Sequence, residues 1–325
     1  MTRAAIIGCG AIAGGYDETS TDGGIYSHAG AYRACGVEIA AVYDIDQERA
    51  RAFANYWGAA HVFTSLEDLY KWEEYDIVSF CTPDRLHRRH VTDFLAAGSA
   101  KLLWVEKPLA HTFADALAMI SAARAKGTGM RVTYQRRWEP VHEQLRREIA
   151  AGLIGELTAA RGCYVKGLVH IGTTIIDTFR FLLGEPAGSR RISLAEKGSY
   201  PNDSSTDITL LYPNGATAVV QGVDGREYSY SLFELDILGT KGRVKITNNG
   251  DEYEVFRVVP YGHYAGFNDL KRERGGATKM GQSMRYGLER MLASLAGGWA
   301  DVSEAESAAR NLHLAEEAVD AQKGE

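Results

Sequence analysis

At 325 residues the chain is long enough for about two domains with substantial cores. Hydrophobic residues make up 45% and charged residues 24%, an ordinary globular balance. The formal net charge is −6 with no long basic run, and no apolar stretch reaches transmembrane length, so neither nucleic acid nor a membrane is expected as a partner.

The opening stretch Ala4–Gly14 reads A-A-I-I-G-C-G-A-I-A-G. Its apolar run predicts a buried strand that starts too early for a secretory leader. Asp17–Ser27 is polar and glycine-bearing, so a loop is expected there, interrupting the passage from turn to helix. It either lines a cofactor or substrate entrance or is a neutral surface insertion. Ala29–Cys35 predicts a short helix, and Val37–Val42 a strand closed by Tyr43-Asp44. Gln47–Tyr56 predicts a helix with Asp46 as its N-cap. His61–Phe63, Tyr75–Cys81, Leu102–Val105 and Met130–Tyr134 read as strands. Leu66–Tyr70, His87–Ala97 and Phe113–Lys126 read as helical, the last two closed by Gly98 and Gly127. Short apolar strands alternating with helices predict a Rossmann-like parallel sheet covered on both faces, over residues 1–134.

The rhythm changes over residues 135–325. Pro140–Ala151 and Gly172–Leu183 predict helices, and Leu157–Lys166 a strand. From Arg190 the pattern is mainly strand. Ile208–Tyr212 and Ala216–Val223 flank a Pro213-Asn214-Gly215 hairpin turn. Ser229–Leu238, Gly242–Thr247 and Glu252–Val259 follow as strands, and Gly262–Ala277 reads as loop. Met284–Leu295 and Ser303–Ala321 predict helices placed to pack back on the first domain or to cover the second. The expectation is α/β overall, with a C-terminal α+β domain on a largely antiparallel open sheet. The cysteines Cys9, Cys35, Cys81 and Cys163 form no C-x-x-C pair. Buried thiols in a reducing, cytoplasmic compartment are the simplest reading.

The chemistry-bearing residues gather at strand ends. Gly8 makes a tight turn, Gly10 allows close backbone approach, and Ala13 lets a helix sit near the sheet, as in a dinucleotide-binding fingerprint. Phosphates would meet N–H groups at the helix start, Ala11 and Ile12. Asp44 is placed to accept both ribose hydroxyls of NAD(H) and to repel a 2′-phosphate, which favours NAD(H) over NADP(H). It lies further along than the usual ~20 residues, and the insertion accounts for the excess. Thr82-Pro83 ends another strand and is placed to border a nicotinamide. Glu106-Lys107-Pro108 follows a third, where ligands collect in open sheets. Lys107 there suits an alcohol or carbonyl oxygen, and Pro108 restricts it to extended backbone; a solvated charge pair is the plain alternative. His87 and His90 share a helix face, but no third metal ligand is identifiable, so no metal is expected. Tyr134, Arg136 and Arg137 follow the sixth strand, where an arginine could hold an anionic group or an interdomain salt bridge. His170 is either an acid/base or a structural histidine. Thr173 and Thr174 bind substrate hydroxyls or cap the helix, and Asp177 and Arg180 are spaced to pair.

Taken together, G-C-G-A-I-A at Gly8–Ala13, C-T-P-D-R-L-H-R-R-H at Cys81–His90, E-K-P-L at Glu106–Leu109 and Gly172–Pro186 resemble the glucose–fructose oxidoreductase, inositol dehydrogenase and rhizopine-catabolism superfamily. The resemblance covers most of the chain. It implies NAD(P)-linked oxidation or reduction of a sugar, cyclitol or related polyhydroxylated compound. It implies that Lys107 is catalytic, that Gly8, Gly10 and Asp44 meet the cofactor with Thr82-Pro83 near it, and that His87 shapes that site. Homodimers or homotetramers through the second sheet are also implied. One departure stands out. Many members read D-x-G-x-H-x-x-D where this chain has His170, Gly172, Thr174 and Asp177. Thr174 cannot act as an acid near pH 7 as histidine does, so His170 or a water-linked route becomes the expected acid/base, with substrate contacts from Lys107, Tyr134, Arg136, His170, Thr173, Thr174 and Asp177. A non-catalytic NAD- or sugar-binding protein is the alternative.

Overall fold

Six short, apolar runs form an all-parallel sheet: β1 (Arg3–Ile7), β2 (Glu38–Tyr43), β3 (His61–Phe63), β4 (Glu74–Phe80), β5 (Ser99–Val105) and β6 (Gly129–Val132), in the order β3-β2-β1-β4-β5-β6. Ala4–Ile7, Val78, Phe80 and Leu102–Val105 are buried, as strands covered on both faces must be. The computed structural model describes residues 2–72, 74–193, 198, 202–224, 231–298 and 300–320. These fall into two units, one running to Trp138 and including Gly281–Arg310, the other comprising Glu139–Met280 and the chain from Asn311 onward.

In the first unit the chain leaves β1 through the glycine turn into a wide, π-type helical turn, Ala11–Gly15, that runs on into α1 (Tyr16–Thr19). Gly14 is required there by packing: a β-carbon would fall 2.3 Å from Trp57 Nε1. The other helices are α2 (His28–Cys35), α3 (Gln47–Trp57), α4 (Leu66–Trp72), α5 (His87–Ala97) and α6 (Phe113–Lys126). Asp46 caps α3 by accepting from the Glu48 and Arg49 amides, and Thr112 caps α6 through the Asp115 amide. The loop expected from Asp17 begins only at Ser20, because Asp17–Thr19 extend the helix. Two aspartates then organise it. Asp17 accepts from the Tyr26 amide at 2.7 Å and the Ser27 hydroxyl at 2.6 Å. Asp22 accepts from Ser20, the Gly24 amide and the Tyr26 hydroxyl.

The second unit carries α7 (Pro140–Ala150), β7 (Leu157–Tyr164), α8 (Thr173–Leu183), β8 (Gly188–Arg191), β9 (Ile208–Leu211), β10 (Thr217–Gly222), β11 (Phe233–Gly239), β12 (Gly242–Thr247), β13 (Glu252–Pro260) and β14 (Asn268–Ala277). The sheet order is β14-β13-β12-β11-β7-β10-β9-β8. Its pairings are antiparallel except β7 with β10. Leu145, Ile175, Ile176 and Phe179 from the helices share a core with Val220, Leu235 and Ile237 of the sheet.

The expected loop over Gly262–Ala277 is corrected: Asn268–Ala277 is strand β14, paired along β13 from Asn268 opposite Pro260 to Ala277 opposite Glu252. An edge strand with most side chains in water has no apolar alternation to betray it. Backbone pairing holds it, helped by cross-strand Arg272–Glu254 and Arg257–Glu273 contacts. β11 starts at Phe233; the expected strand start at Ser229 and Tyr230, and the expected helix end at Ala321, lie outside the described residues. Two helices close the chain. From α9 (Ser283–Ala296), Met284, Leu288 and Met291 join Tyr32 and Trp104 in the first unit's core. From α10 (Ser303–Asp320), Leu314, Ala315 and Ala318 join the second. No helix among the described residues is long and apolar enough to cross a membrane.

Candidate active site

The order of the first sheet reverses between β1 and β4, and such a crevice at the carboxyl ends of strands is where open α/β sheets bind ligands. Gly8 turns the chain there. Its φ of +93° suits glycine, and a β-carbon would lie 2.9 Å from the Cys81 carbonyl. The Cys9 amide donates to Asp44 Oδ2 at 2.8 Å, and the Asp46 amide donates to Oδ1 at 2.8 Å. Two backbone donors thus fix the carboxylate at the end of β2, with Arg49 Nη1 3.8 Å from Oδ2. Gly8, Gly10, Asp44, Thr82, Pro83 and Arg49 line one groove of about 530 Å³. Ala11 and Ile12 open the helical segment beside it. Arg85 and Leu86, within the Cys81–His90 motif, also line the groove, as does Arg49, which no motif singled out. Burial, and then the Asp44 charge, push the Cys9 thiol well up; burial does the same to Cys81. Both therefore stay neutral thiols near pH 7.

His87 is buried. Its Nε2 lies 2.8 Å from the Thr82 carbonyl, and its Nδ1 lies 3.0 and 3.2 Å from the Pro108 and Leu109 carbonyls. The ring therefore ties the turn after β4 to the turn after β5. His90 Nδ1 is 3.3 Å from Thr82 Oγ1, and burial lowers its pKa, with His87 adding to the effect. Among the described residues no three His, Cys, Asp or Glu side chains gather to hold a metal ion.

Glu106, buried, follows directly after β5, with Lys107 next in the chain; the Lys107–Pro108 peptide is cis. Its carboxylate meets His28 Nε2 at 2.9 Å and the Lys107 amide at 3.3 Å. His28 is the functional candidate that the sequence did not disclose. It follows the insertion and carries no motif, and only the packing of α2 onto β4 and β5 brings it to Glu106. Tyr134 is buried beyond β6, Arg136 is half-buried, and the Arg137 side chain donates to Ser307 at 3.0 Å.

In the second unit a wide, π-type helical turn, Leu168–Gly172, presents His170 and leads directly into α8. Asp203 anchors that turn by accepting from the Val169 and His170 amides at 3.0 and 2.8 Å. The Thr173 hydroxyl donates to the Val169 carbonyl at 2.6 Å. The Thr174 hydroxyl is buried and meets no hydrogen-bond partner among the described residues. Asp177 is buried and accepts from Asn311 at 2.8 Å, while Asn311 accepts from Arg180. Arg180 also clasps Glu185 at 2.6 and 2.8 Å. Asn311, from α10, is thus a member of the Asp177–Arg180 cluster that spacing along α8 could not reveal.

Residues 2–134 match the model of the Gfo/Idh/MocA group, described as an oxidoreductase family with an NAD-binding Rossmann fold. The chain is 27% identical over 270 residues to D-apiose dehydrogenase of Paraburkholderia graminis, covering 75% of this chain and 67% of that protein. It is 30% identical over 205 residues to D-glucoside 3-dehydrogenase of Escherichia coli, covering 57% and 55%. It is 36% identical over 132 residues to 1,5-anhydro-D-fructose reductase of Ensifer adhaerens, covering 41% and 39%. The matched stretch therefore spans from about two-fifths to two-thirds of these relatives. In fold, it superposes on levoglucosan dehydrogenase in complex with NADH and L-sorbose with a TM-score of 0.79 at 18% identity, over 100% of this chain and 97% of that one.

Proposed function

With residues 2–134 matching the Gfo/Idh/MocA oxidoreductase model, we propose that the chain is an NAD(H)-dependent enzyme of that family that moves hydride between the nicotinamide and a secondary alcohol or ketone of a sugar, cyclitol or sugar derivative. The observation that carries this reading is the fixed Asp44 carboxylate in one groove with Gly8, Gly10 and Thr82. These residues fit the cofactor. Asp44 keeps lone pairs for ribose hydroxyls after accepting two amides, and its charge opposes a 2′-phosphate. Ala11 and Ile12 offer N–H groups to the pyrophosphate, while Thr82 and Pro83 border the nicotinamide and His87 and Glu106 hold the walls. The bound nicotinamide supplies the hydride acceptor or donor.

Lys107 stabilises the charge developing on the reacting oxygen. His170 takes the proton during oxidation and returns it during reduction. Thr174 supports this use of the helix start, since its buried hydroxyl has no partner among the described residues and suits a substrate hydroxyl. Thr173, Asp177, Tyr134 and Arg136 complete the substrate side of this reading. Three relatives are named for action on sugars or their derivatives, which supports a polyhydroxylated substrate, and assembly as a homodimer or homotetramer belongs to the same reading.

Paired titration with NADH and NADPH, followed by a sugar and cyclitol screen, tests it. NADH is expected to bind at least about tenfold more tightly, the worth of one charged hydrogen bond; equal affinities would sink the role of Asp44. Lys107→Ala is expected to lower kcat by about 10²–10³, as loss of an oxyanion donor does. The second reading, a ligand-binding protein without turnover, rests on Thr174 standing where the D-x-G-x-H-x-x-D pattern implied by the family resemblance has histidine. Tight NADH binding with no turnover across the screen would favour it.

A further inference from the structure

A chain of buried polar groups adjoins Lys107, and the mechanism above leaves its members beyond Glu106 unused. His28 at the start of α2 is fully buried, with its ring 3.9 Å from that of Trp104. Its Nε2 lies 2.9 Å from Glu106 Oε1 and its Nδ1 2.9 Å from Ser79 Oγ, which is 2.6 Å from the Tyr32 hydroxyl. Burial opposes ionisation of Glu106, yet His28, Thr133 and Lys107 together hold its carboxyl below the ordinary range. An ionised Glu106 can only accept, so His28 Nε2 carries the proton between them. In a neutral ring Nδ1 then accepts from Ser79, whose oxygen accepts from Tyr32. This single arrangement gives each proton of the chain an acceptor. It draws on α2, β4 and the end of β5, all within the first unit.

We infer that His28 is a positioning residue: through Glu106 it fixes an ionised carboxylate against the backbone and charge of Lys107, and so sets the protonation of that lysine. The inference deepens the proposed function, on which its catalytic meaning rests. The groups facing Glu106 are His28 and Thr133, the Lys107 charge, the Cys81 thiol, and Tyr32 through Ser79. Cys81 stays neutral because burial raises its pKa, and so does Tyr32. Lys107 is therefore the cation among these groups that the carboxylate charge can hold.

The test reads Lys107 directly and needs no substrate. The full chain, with and without NADH, is labelled with limiting acetic anhydride between pH 7 and 9, and acetylation of Lys107 is followed by mass spectrometry. His28→Phe keeps a ring against Trp104 but removes both hydrogen bonds. With the donor gone, Glu106 loses charge, Lys107 releases its proton more readily, and labelling at pH 8 should rise at least about threefold, up to the tenfold of one pKa unit. His28→Gln offers both an N–H and a carbonyl oxygen, and is expected to label as the wild type does. Glu106→Gln removes the charge with little change of shape; it should label at least as fast as His28→Phe and carries the test if that variant fails to fold. Wild-type labelling in folded His28→Phe or Glu106→Gln would overturn the inference, as would His28→Gln labelling as fast as His28→Phe. Retained turnover in Lys107→Ala would instead count against the proposed function and leave the labelling result standing.

Discussion

Asp44 accepts from the amides of Cys9 and Asp46, so one side chain ties the glycine turn to the end of β2. Replacing its charge tests binding more sharply than it tests folding. Asp44→Asn keeps an oxygen that can accept one amide but removes the negative charge. NADH affinity should fall about tenfold or more while NADPH affinity rises or holds; a titration that leaves the NADH preference intact would contradict the role given to this carboxylate. Gly8 is the complementary case, where the backbone itself is the constraint. Gly8→Ala must hold a side chain at φ +93° and 2.9 Å from the Cys81 carbonyl. A loss of about 1–3 kcal/mol is expected, read by urea unfolding, with weaker NADH binding because the displaced turn carries the Cys9 amide.

Elements gain definition from caps and from pairing, and both are testable. Thr112 accepts the Asp115 amide at 3.1 Å at the head of α6. Thr112→Ala should cost about 1 kcal/mol without altering NADH affinity, since the helix lies outside the groove lining; a change in affinity would show that α6 is coupled to the groove. Strand β14 makes a different demand. Its side chains are largely exposed, so the pairing with β13 must hold it. Hydrogen exchange should protect alternate amides along Asn268–Ala277, those directed at β13. Uniformly fast exchange would contradict the strand.

At the scale of the molecule, two buried glutamates set the acid limit. Burial works against ionisation at both Glu106 and Glu139. At Glu106 the contacts to His28, with Thr133 and the Lys107 charge, outweigh it; at Glu139 the contacts to His142 and the Lys279 amide do so. Both folded-state pKa values therefore lie below the ordinary 4.5. A carboxyl with a depressed folded pKa stabilises the fold above its unfolded value, and that stability is lost as pH falls through the folded one. The share of the unfolding free energy that these two carboxyls carry should accordingly be level from neutral pH down to about 5 and fall below about 4.5. Glu139→Gln should flatten part of that fall, measured by urea unfolding at stepped pH. A variant with the wild-type slope would remove Glu139 from the account.

The sequence by itself determined the alternation of the first unit. Apolar runs of strand length with helices between them can bury both faces only as a parallel sheet. The glycine turn, Asp44, Thr82-Pro83 and Lys107 were legible because each closes such a run, and position at a strand end is a local property. Asp46 was legible as a cap for the same local reason. Other features lay beyond any reading along the chain. β14 has no apolar periodicity, and backbone pairing leaves no mark on side-chain order. His28, Ser79 and Tyr32 meet Glu106 only once α2 packs against β4 and β5. Asn311 reaches Asp177 only when the C-terminal helix folds onto the second unit's core. In each case the partners are far apart in sequence, and the hydrogen bonds that join them exist only after the elements have packed.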